Sequence, residues 1–62
     1  MQELIGQRVK VILNTTFGVV STVGVVLKVE NHFILLKQTF PKNEPIYISL
    51  FTIKTITLLQ EV

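Results

Sequence analysis

Residues 19–29 read Val-Val-Ser-Thr-Val-Gly-Val-Val-Leu-Lys-Val, and seven of these eleven residues are Val or Thr. β-branched side chains are stiff in a helix but pack well on a pleated surface, so this stretch predicts a long β-strand. The side chains expected on its inward face are those of Val23, Val25, Leu27 and Val29. Gly24 lies in the middle, where a missing side chain permits a bend or a bulge. A long strand bent at its centre is typical of a small β-barrel.

The composition of the whole chain favours the same fold class. Val, Ile, Leu and Phe supply 28 of the 62 residues, and Val, Ile and Thr together supply 23. This apolar content excludes a disordered chain, which would be poor in these residue types. The absence of cysteine excludes a disulfide scaffold and any metal site with Cys ligands.

Four further strands are predicted around the central one, and turn residues separate them. Val9, Val11 and Leu13 alternate inward on the first strand, and Ile46 and Ile48 do so on the fourth. The predicted strands cover residues 7–13, 19–29, 32–38, 46–49 and 53–59, with turns at 14–18, 30–31, 41–45 and 50–52 and a tail at 60–62. Residues 1–6 form at most one short helical turn. We therefore expect one all-β domain over residues 1–62, a five-stranded and strongly bent small barrel.

The size and polarity of the chain favour self-association. A domain of 62 residues buries only about 60% of the surface that its unfolded chain exposes. With 48% hydrophobic and 16% charged residues, the chain has more apolar surface than one small core can hide. We therefore expect a homo-oligomer. The opening residues lack the features of a secretory leader. No apolar run approaches the length of a membrane-spanning helix, which is about 18 residues. We therefore expect a cytoplasmic protein with no membrane partner.

Little in the sequence supports catalysis. His32 is the one histidine, and the chain has neither Cys nor Asp. A nucleophile requires a base that a third group orients, and zinc requires three or four ligands, whereas His32 with Glu30 supplies two. The three glycines fit no phosphate-binding spacing. We therefore expect no catalytic residues, no metal, no cofactor and no small-molecule substrate.

Two motifs in the chain resemble those of the Sm-like family, including its bacterial Hfq branch. Val-Lys-Val-Ile-Leu at residues 9–13 is followed by Gly24, by Glu30 six positions later, and by His-Phe-Ile-Leu-Leu at residues 32–36. The second motif is Ile-Tyr-Ile-Ser-Leu-Phe-Thr-Ile at residues 46–53. The resemblance covers most of the chain and implies an Sm-like or SH3-like barrel. A weaker resemblance, to short proteins of spore-forming Gram-positive bacteria, implies no activity but fits an assembly role in a bacterium.

The residues with which Sm-like proteins bind RNA are largely replaced in this chain. The family's base-reading Asn corresponds to Ile34, and its Arg-Gly-(Asp/Asn) after the fourth strand is replaced by Ser-Leu-Phe at residues 49–51. A uridine pocket of the family's type is therefore not expected. The tentative RNA-binding residues that the resemblance leaves are His32, Tyr47, Asn31 and Lys28.

The resemblance also implies a homo-oligomeric ring, six- or seven-fold, in which the fourth strand of one subunit pairs with the fifth strand of the next. The tentative interface residues are Ile46, Ile48, Ile53 and Ile56. The net charge of one chain is +2, and the sequence shows no basic stripe. A ring would carry about +12 to +14, which is enough to attract a polyanion. Two hypotheses follow: a non-enzymatic, self-assembling structural or interaction module, and, as the alternative, a ring-forming protein that binds single-stranded RNA through a degenerate site.

Overall fold

The computed structural model describes residues 1–59, which form five β-strands and two short 3₁₀ turns. The first 3₁₀ turn covers Gln2–Leu4 and the second covers Leu50–Thr52. The strands are β1 (Arg8–Thr15), β2 (Gly18–Val29), β3 (Phe33–Phe40), β4 (Glu44–Ser49) and β5 (Ile53–Leu58). This architecture confirms the all-β class, the five strands and the short N-terminal turn. The predicted tail at 60–62 lies outside the described residues.

All five strands belong to one antiparallel sheet in the order β4-β3-β2-β1-β5. β4 and β5 are consecutive in the chain, yet they lie at opposite edges of the sheet. In the described residues β4 pairs only with β3 and β5 pairs only with β1, so the sheet is not closed into the barrel that the sequence predicted. Backbone pairing at these two edges is what closure would have required.

The sheet curls around a single apolar core. The fully buried side chains are those of Val9, Val11, Val26, Ile34, Leu36 and Ile48. Ile46 from one edge strand and Ile53 and Ile56 from the other pack against this same cluster. Residues from both edges meet in one cluster only if the sheet bends, so the predicted curvature is present although the edges do not pair. The inward faces predicted for β1 and β4 are confirmed.

The inward face predicted for the long second strand is wrong at Val23, Val25 and Leu27 and right at Val29, which packs against the core cluster. Thr22, Gly24 and Val26 are buried, whereas Leu27 is exposed and Val23 and Val25 are only half-buried. Gly24 lies opposite Val9 and Thr22 lies opposite Val11, which puts these residues on the inner face of the sheet. Two irregularities interrupt the pairing of β2 with β3, one after Val23 and one after Val26. The irregularity after Val23 skips Thr39 of β3 and leaves the alternation of β2 unchanged. The one after Val26 makes Leu27 an extra residue of β2, and because such an insertion moves every later side chain to the other face, alternation fails across this bulge.

At Gly24 there is no room for a side chain between β2 and β3. A Cβ atom at this position would come within 2.9 Å of both Gln38 Cα and Leu36 Cγ, and would also collide with the Lys37 carbonyl oxygen. The bend or bulge predicted at this glycine is confirmed by the register shift beside it.

Strand ends differ from the prediction by a few residues. The first turn contains only Thr16 and Phe17, because β1 and β2 stay paired as far as Thr15 and Gly18. Thr15 Oγ1 accepts the Phe17 N–H and donates to the Gly18 carbonyl oxygen, which satisfies polar groups that the tight turn leaves free. β4 begins two residues early and includes Pro45, which an edge strand tolerates. Among residues 1–59, no helix is long and apolar enough to cross a membrane.

Candidate functional site

The tentative RNA-binding residues lie at one end of the sheet. Lys28 on β2 lies opposite Leu35 on β3, which lies opposite Tyr47 on β4. A cross-strand row shares one face, so Lys28 and Tyr47 both project from the outer face, with their backbones about 10 Å apart. Asn31 and His32 are exposed in the turn that joins β2 to β3.

Backbone hydrogen bonds fix this turn. The Glu30 N–H donates to the Phe33 carbonyl oxygen over 2.9 Å and closes the turn. The Leu50 N–H donates to the His32 carbonyl oxygen over 2.9 Å, which ties the turn to the second 3₁₀ turn at the end of β4. Ser49 Oγ accepts the Phe51 N–H and caps that 3₁₀ turn. The four candidate residues are therefore held close to one another by main-chain contacts and not by contacts among their own side chains.

The ring of Tyr47 packs on Phe33, which the sequence pattern indicated only as an apolar residue of a strand. The ring centroids are 5.1 Å apart and the ring planes meet at 83°, an edge-to-face arrangement. Tyr47 nevertheless remains 69% exposed. An exposed aromatic ring held in place by a second ring is a platform on which a planar group can stack.

Lys28 is not a free cation. Its Nζ lies 2.8 Å from Glu30 Oε1, and both side chains are partly exposed. The hydrogen bond to Glu30, reinforced by the attraction between the two charges, raises the pKa of Lys28 above its usual value. The carboxylate therefore competes with any phosphate for the ammonium group. The sequence did not predict this ion pair, although Lys28 and Glu30 are only two residues apart in the chain.

The outer face carries more positive charge than the sequence indicated. Arg8 lies opposite Val25, which lies opposite Lys37, so both cations share this face. Lys10 is exposed between the buried Val9 and Val11 and projects from the same side. Four of the six Lys and Arg residues thus lie on the outer face: Arg8, Lys10, Lys28 and Lys37. They come from three strands, so only the register of the sheet brings them together.

The position that corresponds to the family's base-reading Asn cannot present a side chain to a ligand. Ile34 is 1% exposed and belongs to the core. Its outward neighbours on β3 are Phe33 and Leu35, both half-buried. Any ligand at this end of the sheet would meet those residues and Tyr47 instead.

The tentative interface residues lie along the two edge strands but face the core. Ile48 is 4% exposed, and Ile46, Ile53 and Ile56 pack against the core cluster. A neighbouring subunit at either edge would therefore meet the backbone and the outward side chains of β4 and β5. Within residues 1–59 no group of three or more His, Cys, Asp or Glu residues is arranged to hold a metal ion.

Similarity to known proteins adds nothing to this geometry. Comparisons of the chain with protein-family models, with curated protein sequences and with solved structures find no significant match.

Proposed function

We propose that this chain is a non-enzymatic, self-assembling interaction module whose subunits join through the two edges of the sheet. The observation that carries the proposal is the position of β4 and β5. Each has six residues, each lacks a strand on its outer side within the described part of the chain, and they form opposite edges. An unpaired edge presents a row of backbone donors and acceptors that another strand can satisfy.

The charges of the edges support head-to-tail contact between copies. The one charged residue of β4 is Glu44, and the one charged residue of β5 is Lys54. Contact of β4 with β4, or of β5 with β5, would join two edges of the same charge, whereas contact of β4 with β5 joins edges of opposite charge. Head-to-tail contacts generate a ring when the rotation closes and a filament when it does not. We propose that the subunits form a closed ring of the kind that Sm-like proteins form.

Exposed apolar side chains beside the edges support the same conclusion. Phe51, in the 3₁₀ turn between the two strands, is 90% exposed, and Leu58 on β5 is 49% exposed. Large apolar side chains that a small core leaves exposed are typical of surfaces that a partner covers. A second copy of this chain covers them without any further component.

The experiment is native mass spectrometry of the purified protein, combined with a charge reversal at one edge. We expect a discrete assembly of several subunits at low salt. Glu44→Lys makes both edges positive and should shift the distribution towards smaller species. The double variant Glu44→Lys/Lys54→Glu exchanges the signs and should restore the large assembly. Glu3→Lys changes the charge by the same amount away from both edges and should have no effect.

Two results would overturn the proposal. One is a monomeric wild-type protein at all concentrations up to about 100 µM, at which contacts with a dissociation constant of about 1 µM would be occupied. The other is an assembly that Glu44→Lys and Glu3→Lys weaken to the same extent, because the effect would then come from net charge and not from the edge.

The second candidate function is binding of single-stranded RNA on the outer face. It is supported by the exposed Tyr47 ring beside Lys28 and by the four cations that share this face. Single-stranded nucleic acids bind where aromatic rings accept bases and cations contact phosphates. Each added subunit would repeat this surface around an assembly, so RNA binding and self-assembly are compatible.

A further inference from the structure

The first hairpin extends beyond the rest of the sheet. β1 and β2 remain paired from Arg8 and Val25 as far as Thr15 and Gly18. β5 covers β1 only as far as Leu13, and β3 begins to cover β2 only at Val23. Residues 14–21 therefore form a two-stranded projection, which we call the arm. Along Gly18, Val19, Val20 and Ser21, the outer edge of β2 has no neighbouring strand in the described residues.

The arm lacks the features that usually protect a strand edge. Natural edges are blocked by charged residues, by proline or by a covering element. β4 contains Glu44 and Pro45, and β5 contains Lys54. The arm contains neither a charge nor a proline, and the whole stretch from residue 11 to residue 27 is uncharged. This is the longest uncharged stretch of the chain.

Three large apolar side chains of the arm are open to solvent. Phe17 at its tip is 98% exposed, Val19 is 58% exposed and Val20 is 47% exposed. Val19 and Val20 are consecutive, so they project from opposite faces of the ribbon. Each face of the arm thus carries an exposed valine, against which a partner strand added to the edge could pack.

We propose that the arm is a second self-association surface, at which the β2 edge of one copy pairs antiparallel with the β2 edge of another. An antiparallel pair of identical edges has a two-fold axis, so every contact is made twice. Valine then lies near valine across the pair, and β-branched residues pack favourably there. This contact is distinct from the head-to-tail contact of β4 with β5.

The distribution of charge identifies a second copy as the occupant. A two-fold contact places every charge of an edge near the same charge of its copy, so an edge pairs with its own copy without repulsion only where it carries no charge. The arm meets this condition, while Arg8, Lys10, Lys28 and Lys37 all lie on the sheet beyond it. A partner selected by its own charge, such as a polyanion, would find nothing complementary on the arm.

Disulfide trapping tests the contact, because the natural chain contains no cysteine. Single variants Val19→Cys, Val20→Cys and Ser21→Cys place a thiol along the edge. Leu27→Cys is the matched control, since Leu27 lies on the same strand outside the arm and is 45% exposed, against 47% for Val20. Under mild oxidation we expect at least one arm variant to form covalent dimers at least tenfold faster than the control.

A charge-mixing experiment checks the same contact without oxidation. Val20→Lys alone and Val20→Glu alone should each remove the arm contact, because like charges face each other across the two-fold axis. An equimolar mixture should restore it as a heterodimer, visible by native mass spectrometry as a mixed species in excess of the statistical fraction. Leu27→Lys mixed with Leu27→Glu should show no such excess.

Failure of this proposal is distinguishable from failure of edge assembly. If the arm variants cross-link no faster than Leu27→Cys and the mixture shows no excess heterodimer, the arm does not pair with itself, whatever β4 and β5 do. If Glu44→Lys, added to the arm cysteine variants, disperses the larger assembly and leaves their cross-linking rate unchanged, the two contacts are independent, as proposed. Loss of arm cross-linking in Glu44→Lys would contradict a separate arm contact.

Discussion

Gln38 and Thr22 form a hydrogen bond on the inner face of the sheet. Among the described residues it is the only hydrogen bond between two buried side chains. The Gln38 Nε2 atom donates to Thr22 Oγ1 over 2.6 Å, and Thr22 Oγ1 in turn donates to the Phe40 carbonyl oxygen over 2.8 Å. Thr22 is 2% exposed and Gln38 is 7% exposed. Buried polar groups are costly unless they are paired, so these two side chains depend on each other.

Thr22→Val should therefore lower the free energy of unfolding by about 1–3 kcal/mol, because it leaves the Gln38 donor buried without its acceptor. The double variant Thr22→Val/Gln38→Leu should lose less than the sum of the two single variants, because it removes both partners. Urea unfolding of the four proteins measures this difference. Strict additivity would show that the hydrogen bond contributes nothing.

Gly24→Ala should destabilise the protein by roughly 1–3 kcal/mol, the usual cost of forcing extra volume into a packed region. The added methyl group would approach Gln38 Cα and Leu36 Cγ, both at 2.9 Å, so β3 would have to move away from β2. Ser21→Ala is the control, because Ser21 is exposed on the same strand. Thermal unfolding followed by circular dichroism compares the two. Equal midpoint temperatures of unfolding would mean that β2 and β3 can move apart without a loss of stability.

The contact of Lys28 with Glu30 gives a prediction for pH dependence. The hydrogen bond from Lys28 to Glu30 raises the pKa of Lys28 above the usual 10.5. Because the pKa is higher in the folded state, the stabilisation is fully present below about pH 10.5 and is lost as the pH rises through the folded value. Glu30→Gln should return the pKa of Lys28 towards 10.5, as measured by NMR titration of the Lys28 side chain. Glu44→Gln, which removes a distant carboxylate, should leave it raised.

Tyr47→Ala should weaken binding of a labelled oligouridine by about 1–3 kcal/mol if RNA stacks on the outer face, which is the usual value of one base stacked on an aromatic ring. His32→Ala tests the neighbouring turn in the same way. Phe40→Ala is the control, because Phe40 is an exposed aromatic residue at the opposite end of β3 from the cross-strand row of Tyr47 and Lys28. Fluorescence anisotropy at low salt, where phosphate contacts are strongest, measures the affinity. If the assembled protein has no affinity for the oligouridine at low salt, or if Tyr47→Ala and Phe40→Ala lose equal affinity, this candidate function is eliminated.

The residues of the outer face show how far prediction from the sequence extended. Ile46 and Ile48 were predicted to face inward, so alternation puts Tyr47 between them on the outward side, and its 69% exposure agrees because β4 is short and pairs regularly with β3. The packing of Phe33 on Tyr47 was not foreseen, since it depends on which residues of two strands lie opposite each other. The same holds for Arg8, Lys10 and Lys37, whose clustering depends on the register of three strands.

The sequence by itself determined the fold class, the number of strands and most of the inward residues, because β-branched content and alternation are local properties of the chain. Only the tertiary structure decided the inward face of β2, because pairing with β1 puts Thr22 and Gly24 on that face and the bulge at Leu27 then changes the parity that alternation assumes. It also decided that β4 and β5 lie at opposite edges and that the first hairpin projects as an arm. These features arise from pairing between distant strands, and pairing depends on the register of the whole sheet, which no short stretch of residues specifies.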